Sequence, residues 1–142
     1  MGKNFNGAQI NQSVTIVEKS GAEIADVRNR IVKYDEAGKV VLAAAGTDLP
    51  VGIAIIEAGY NDITGAESGK VMPGDEVDIQ IKDIGFVIAG AEIKKGQEVT
   101  AGAEGKAAVA AAGNYVLGVA LNSVAKDGYC KVQIMRYQKA GA

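Results

Sequence analysis

The nucleophile candidates in this sequence are serines that have a lysine nearby in the chain. They are Ser13, Ser20, Ser68 and Ser123. A serine beside a lysine can act as an activated nucleophile, but none of the four lies in a recognisable nucleophile motif. The sequence contains no histidine, which removes the commonest general base and the commonest metal ligand. We therefore predict that the chain is not an enzyme.

The segment Gly65–Val71, with the letters GAESGKV, is similar to a phosphate-binding loop. That motif needs four residues between its glycines and a Ser or Thr after the lysine, so that backbone amides and a hydroxyl meet phosphate and magnesium. Here three residues separate the glycines and Val71 follows Lys70. We interpret the segment as a loop.

Metal sites are also not predicted. An acidic stretch runs from Asp75 to Asp83, but on a strand Glu76 and Asp78 share a face that Asp75 does not, and no bent ligand loop accompanies them. The only cysteine, Cys130, cannot hold zinc alone or form an internal disulfide. It alternates with Val132 and Ile134, which predicts a small buried side chain. We expect no cofactor.

The composition excludes several classes of partner. Formal net charge is -2 and the basic residues are scattered, whereas a nucleic-acid binder clusters its Lys and Arg. The first residues lack the apolar core of a signal peptide, and no apolar run has the length of a membrane span. We expect a soluble protein that is made in a cytoplasm and binds neither nucleic acid nor membrane.

Short strands joined by glycine turns are predicted over most of the chain, because Ala, Val and Ile dominate and there are 19 glycines. Asp75–Lys82 alternates cleanly, with Val77, Ile79 and Ile81 expected inside. The other predicted strands are Ile31–Tyr34, Lys39–Leu42, Val51–Ile56, Ile84–Ile88, Gln97–Thr100, Lys106–Val109 and Tyr129–Tyr137. This pattern predicts an all-β fold, a compact β-barrel or β-sandwich with an extended N-terminal arm.

Two parts of the sequence do not fit a simple succession of alternating strands and turns. In residues 21–34, the positions Ile24, Val27 and Ile31 also fit one face of a helix. An internal echo links Ala43–Ala54 with Ala110–Ala120, since each has a small-residue run, a glycine and then a strand interrupted by glycine. The echo predicts corresponding strands in one closed sheet, with a close backbone approach at each strand glycine.

The predicted domain organisation is an arm over residues 1–20, one β domain over residues 21–137 and a short tail over residues 138–142. The arm is polar, and its apolar positions are too few to form a core. We expect those positions to bind a partner, in part because Val14–Val17 has strand propensity and could pair with a sheet edge. They are Phe5, Ile10, Val14 and Ile16.

The second half of the chain carries a recognisable succession of short motifs. It comprises Gly85–Val87, Ala89–Ile93, Gly96–Val99, Gly105–Ala107, Leu117–Leu121, Gly128 and Lys131–Ile134, preceded upstream by Gly46 and Pro50–Ala54. This succession resembles the capsid cement, or decoration, proteins of tailed bacteriophages over about residues 21–137. The resemblance implies a β domain on the outer capsid surface that binds the major capsid protein and stabilises the shell, often as a homotrimer at three-fold positions. The resemblance identifies no catalytic residue in this sequence.

Two alternatives stay open. A tail-tube or tail-accessory protein would use a similar β domain. A small β carrier would display a lysine such as Lys95 or Lys106 at a turn, and a carbohydrate-binding module would display an aromatic platform. A modified lysine or glycan binding would favour this second alternative.

Overall fold

A computed structural model describes residues 14–141 and confirms the all-β prediction. Its ten strands form two five-stranded antiparallel sheets in a sandwich-like arrangement, not a closed barrel. The strands are β1 (Thr15–Lys19), β2 (Ile31–Tyr34), β3 (Val40–Leu42), β4 (Gly52–Ala54), β5 (Glu76–Gln80), β6 (Ile84–Ile88), β7 (Glu98–Ala101), β8 (Ala107–Val109), β9 (Tyr115–Ala120) and β10 (Tyr129–Gln138). One 3-10 turn, Ala103–Gly105, precedes β8.

The chain folds as two halves of the same topology, residues 14–82 (the first half) and residues 83–141 (the second half). The strand order in the first sheet is β1-β5-β4-β2-β3, and in the second it is β6-β10-β9-β7-β8. Adding five to each strand number of the first order gives the second. The two halves are therefore an internal structural repeat.

Hydrogen bonds outside the strands repeat as well. The parallel bridge between Ser20 and Val40 has its counterpart between Ala89 and Ala107. The N–H of Asn29 donates to the carbonyl of Ala54 at 2.8 Å, and the N–H of Gly96 donates to that of Ala120 at 2.8 Å. Asn29 and Gly96 both have positive φ, 56° and 91°. Because the bridges, hydrogen bonds and φ angles agree, each strand residue of one half can be assigned an equivalent position in the other half.

The main difference in length between the halves lies between β4 and β5. In the first half, 16 residues (55–70) separate Ala54 from the bridging residue Val71. In the second half, three residues (121–123) separate Ala120 from the bridging residue Val124. The first half therefore carries an insertion that includes nearly all of the segment Gly65–Val71, which was interpreted as a loop from the sequence.

Most predicted strands are confirmed, with three corrections. The helical spacing in residues 21–34 gives no helix, because Ile24 pairs with Val71 in a bridge and Ile31 begins β2. The strand predicted over Val51–Ile56 is paired only over Gly52–Ala54. The echo strands β4 and β9 lie at equivalent positions in two different sheets, not in one closed sheet.

The two glycines of the echo lie where another backbone passes close by. A Cβ atom at Gly52 would fall on the carbonyl oxygen of Gln80 in β5, and one at Gly118 would fall on that of Gln133 in β10. Any side chain at either position would collide with the neighbouring strand. The close approach predicted from the echo is thus present in both halves.

Each half has a hydrophobic cluster, but the two clusters differ in composition. The cluster of the first half contains only its own residues, among them Val32, Val77 and Ile79. The cluster of the second half also contains Ile31, Ala43 and Ile53 from the first half. Burial of apolar surface between the halves therefore joins them into one unit.

Candidate partner-binding surfaces

Three of the serines considered as nucleophiles form local hydrogen bonds in turns and loops. Ser20 is buried and its hydroxyl donates to the carbonyl of Ala22 at 2.6 Å. The Oγ of Ser68 donates to the carbonyl of Asp62 at 3.1 Å, and that of Ser123 accepts from the N–H of Lys95 at 3.0 Å. Ser13 lies outside the described residues. Local hydrogen bonds of this kind are typical of loop serines.

The loop that is similar to a phosphate-binding loop is organised around its own side chains. The carboxylate of Asp62 accepts hydrogen bonds from the N–H groups of Thr64 and Glu67, at 3.0 Å each, and these bonds lower its pKa. Lys70 forms an ion pair with Glu67 at 2.8 Å. No helix begins at Lys70, since the next element in the described chain is the strand β5. This geometry is that of a closed surface loop.

The cysteine and the groups considered as metal ligands can be placed within the described residues. Cys130 is fully buried, and burial raises the pKa of its thiol. In residues 14–141, no group of three or more His, Cys, Asp or Glu side chains is placed to hold a metal ion. No helix in that range is long and apolar enough to cross a membrane.

Two of the four predicted partner-binding residues lie in the described chain. Val14 is 45% exposed, and its carbonyl accepts from the N–H of Ile81 at 3.2 Å. Ile16, in β1, is half-buried and packs against the cluster of the first half. Phe5 and Ile10 lie outside the described residues. The structure thus pairs the second part of the predicted arm with β5 of its own chain.

The equivalent edge strands β1 and β6 differ in how their outer edges are covered. At β6, the side-chain amide of Asn29 donates to the carbonyl of Phe86 at 3.0 Å, and that of Gln80 donates to the carbonyl of Ile84 at 2.8 Å. Within residues 14–141, no side chain covers β1 in this way. An uncovered edge strand can add a further strand from another chain.

On the outward side of β6 and β10, several side chains are more apolar than those at the equivalent positions of β1 and β5. We define the β6–β10 face by the outward residues Ile84, Phe86, Ile88, Tyr129 and Lys131. Its large apolar members Ile84, Phe86 and Tyr129 are 49%, 47% and 51% exposed. The equivalent positions on β1 and β5 hold Thr15, Val17, Lys19, Glu76 and Asp78. Because the backbone geometry is the same in both halves while the outward side chains differ, the β6–β10 face is a candidate binding surface.

A groove of about 330 Å³ runs beside this face, between the two halves. We call it the inter-half groove. Its lining residues are Asn29, Ile53, Ile55, Ile56, Glu57, Gln80, Phe86 and Tyr129. Asn29 is buried, and its Oδ1 atom has no hydrogen-bond partner in the described chain. Sequence reasoning missed this groove because its residues come from five separate segments.

The chain is similar to known proteins both in sequence and in fold. The profile of the XM1 gp53 minor capsid protein family matches residues 1–134, so the chain belongs to that family. A search of curated proteins gives no match. Among solved structures, the head fiber gp8.5 N base of bacteriophage phi29 superposes with a TM-score of 0.65 at 21% identity, covering 89% of this chain and 98% of that chain. At this identity the likeness concerns the fold.

Family membership defines the class of protein. The chain is a structural, capsid-associated protein of a bacteriophage, and it is associated with the virion. This confirms the phage capsid resemblance seen in the sequence.

Proposed function

We propose that this protein is a decoration protein that binds the outer surface of the capsid and stabilises the shell without enzymatic activity. The observation that carries the proposal is the match to a minor capsid protein family over residues 1–134. The exposed apolar face on β6 and β10 supports it, since such a face suits a lasting contact with another protein.

The partner in this proposal is the major capsid protein. A shell repeats the same contact site many times, so a protein that self-associates can bind several sites at once. Multivalency of this kind raises the overall affinity without a larger contact per chain. We propose a homotrimer at three-fold positions of the shell.

The residues that we propose to contribute to partner binding are Phe5, Ile10, Val14 and Ile16. The support for this is the position of the backbone: Ile16 lies in the edge strand β1 and Val14 directly precedes that strand, so both lead towards the segment that contains the other two. Removing residues 1–13 is expected to weaken binding to purified shells, with β1 and its pairing to β5 left in place. Unchanged binding would show that this segment takes no part.

The decisive experiment is to count the protein in purified particles by quantitative mass spectrometry against the major capsid protein. A copy number close to that of the shell subunit is expected. Cryo-electron microscopy of the same particles then gives the position. A few copies per particle would instead point to the tail, the alternative that the sequence left open.

A second candidate function is the base of a head fiber. It is supported by the superposition on the phi29 head fiber N base, which covers 98% of that chain. In particle images, a fiber base would carry density projecting away from the shell at each site. A decoration protein would end at the domain itself.

A further inference from the structure

Because of the internal repeat, each residue of the β6–β10 face can be compared with the residue at the equivalent position of the first half. Phe86 and Val17 occupy equivalent positions, as do Tyr129 and Glu76, because each pair has the same register in its own sheet. At these positions the first half carries the apolar Val17, which is 53% exposed, and the charged Glu76. The fold therefore exposes the position of Phe86 in both halves and does not require an aromatic side chain there or at Tyr129, which leaves these two rings available for binding.

The polar groups around the inter-half groove are suited to accept hydrogen bonds. Within residues 14–141, Glu57 forms no ion pair, and the Oδ1 of Asn29 has no donor. The amide nitrogens of Asn29 and Gln80 are already donating to carbonyls of β6. What remains for an occupant is the carboxylate of Glu57, the carbonyl end of Gln80 and the hydroxyl of Tyr129, while the unpaired Oδ1 of Asn29 is itself buried. These groups favour a cationic, donor-rich occupant.

The neighbouring cation does not neutralise the groove. Arg28 lies in the adjoining depression and binds Asp26 through two hydrogen bonds of 2.9 Å, from Nε and Nη2. Its charge is therefore matched by Asp26. Glu57, which has no ion-pair partner in residues 14–141, lines the groove together with Phe86 and Tyr129.

We propose that the inter-half groove binds an arginine side chain of the shell protein, while the β6–β10 face packs against the apolar surface around that arginine. A guanidinium group stacks on aromatic rings, donates to a carboxylate in a planar fork, and has no acceptor of its own. Sugars, by contrast, present acceptors as well as donors, and the groove has few free donors for them. This inference rests on the proposed function, because it names how the same capsid contact is made.

The first experiment uses the isolated full chain and N-acetylarginine amide as the probe. Methyl NMR signals of Ile53, Ile55 and Ile56 are expected to shift on addition, with weak binding in the millimolar range. Glu57→Gln should weaken binding about tenfold or more, since a charge-assisted hydrogen bond is lost. The control Glu76→Gln, on the equivalent sheet of the first half, should leave binding unchanged. No shift with the probe, or equal shifts with methyl glucoside, would overturn the arginine assignment.

The second experiment measures binding to purified shells lacking this protein. Phe86→Thr is expected to lower affinity about tenfold or more, while the matched variant Val17→Thr should not. Both variants retain β propensity at an exposed position, and thermal unfolding checks that each is folded. If the wild-type chain binds shells but Phe86→Thr and Glu57→Gln bind equally well, this inference fails and the proposed function stands. If the wild-type chain does not bind shells, the proposed function fails.

Discussion

The Cδ1 atom of Ile53, in the first half, stands 3.0 Å from the position that a Cβ atom of Gly85, in the second half, would occupy. The position equivalent to Gly85 in the first half is Ile16, because Gly85 pairs with Val132 as Ile16 pairs with Ile79. The first half thus fills this part of its interior with its own side chain, whereas the second half leaves room for Ile53. The two halves share a topology, but the cluster of the second half is completed by side chains of the first half.

Substituting Gly85 by Val is therefore expected to destabilise the whole chain. The added methyl groups would push Ile53 away from the cluster of the second half, and overpacking of this kind costs about 1–3 kcal/mol. Urea unfolding followed by circular dichroism measures the change in the free energy of unfolding. Two separate unfolding transitions in place of one would show that the halves unfold separately.

The glycines of β4 and β9 are expected to tolerate no side chain. Gly118→Ala would place a methyl group on the carbonyl of Gln133, and Gly52→Ala would place one on that of Gln80. Because the obstacle is the backbone of a paired strand, each change should cost about 3 kcal/mol or more. Gly141→Ala is the matched control, since nothing lies within 4 Å of its Cβ position. Equal stability of all three variants in urea would contradict the close strand approach.

Much of the fold could be predicted from local patterns. The alternation in Asp75–Lys82 predicted which side chains face inward, and Val77 and Ile79 are fully buried. The strand predicted over Ile84–Ile88 has those same bounds in the structure. The hairpin of Ile31–Tyr34 with the strand at 40–42 is also present. Such features depend on residues close in the chain, whose periodicity and turn chemistry are visible in the sequence.

The repeat and the groove could not be predicted in the same way. The echo around Gly52 and Gly118 was visible, but it does not reveal whether two strands share a sheet, because pairing depends on partners far away in the chain. Most equivalent positions, such as Phe86 and Val17, differ in residue type. The groove brings together Asn29, Glu57 and Tyr129 only after both halves have packed. A local sequence pattern does not indicate that the two halves will contact each other at these residues.

Acid is expected to weaken the fold through Asp48. Burial alone would raise its pKa, but hydrogen bonds from Lys33 and from the backbone N–H groups of Ala44 and Ala45 outweigh that effect, so the pKa of Asp48 is lowered. A lowered folded-state pKa stabilises the protein above the ordinary value of 3.8. That contribution is lost as pH falls through the folded-state value.

Asp48→Asn tests this linkage. At neutral pH the variant should be less stable by about 1 kcal/mol, because the ion pair with Lys33 is partly buried and one charge-assisted contact is lost. The difference between wild type and variant should shrink as pH falls below the ordinary carboxyl range. Urea unfolding at a series of pH values gives both curves, and a difference that stays constant with pH would refute the role of the charge.

Cys130 is expected to resist thiol reagents in the folded protein. Its side chain is fully buried between Val87 and Val132, and burial raises the pKa of the thiol, so little of the reactive thiolate exists at mildly alkaline pH. Labelling with a chromogenic disulfide reagent should then proceed only as fast as the second sheet opens. The same protein in urea should react at once, which provides the control. Because the cluster around Cys130 includes Ile53, the variant Gly85→Val should label faster than wild type, and equal rates would show that opening at β10 is independent of the contact between the halves.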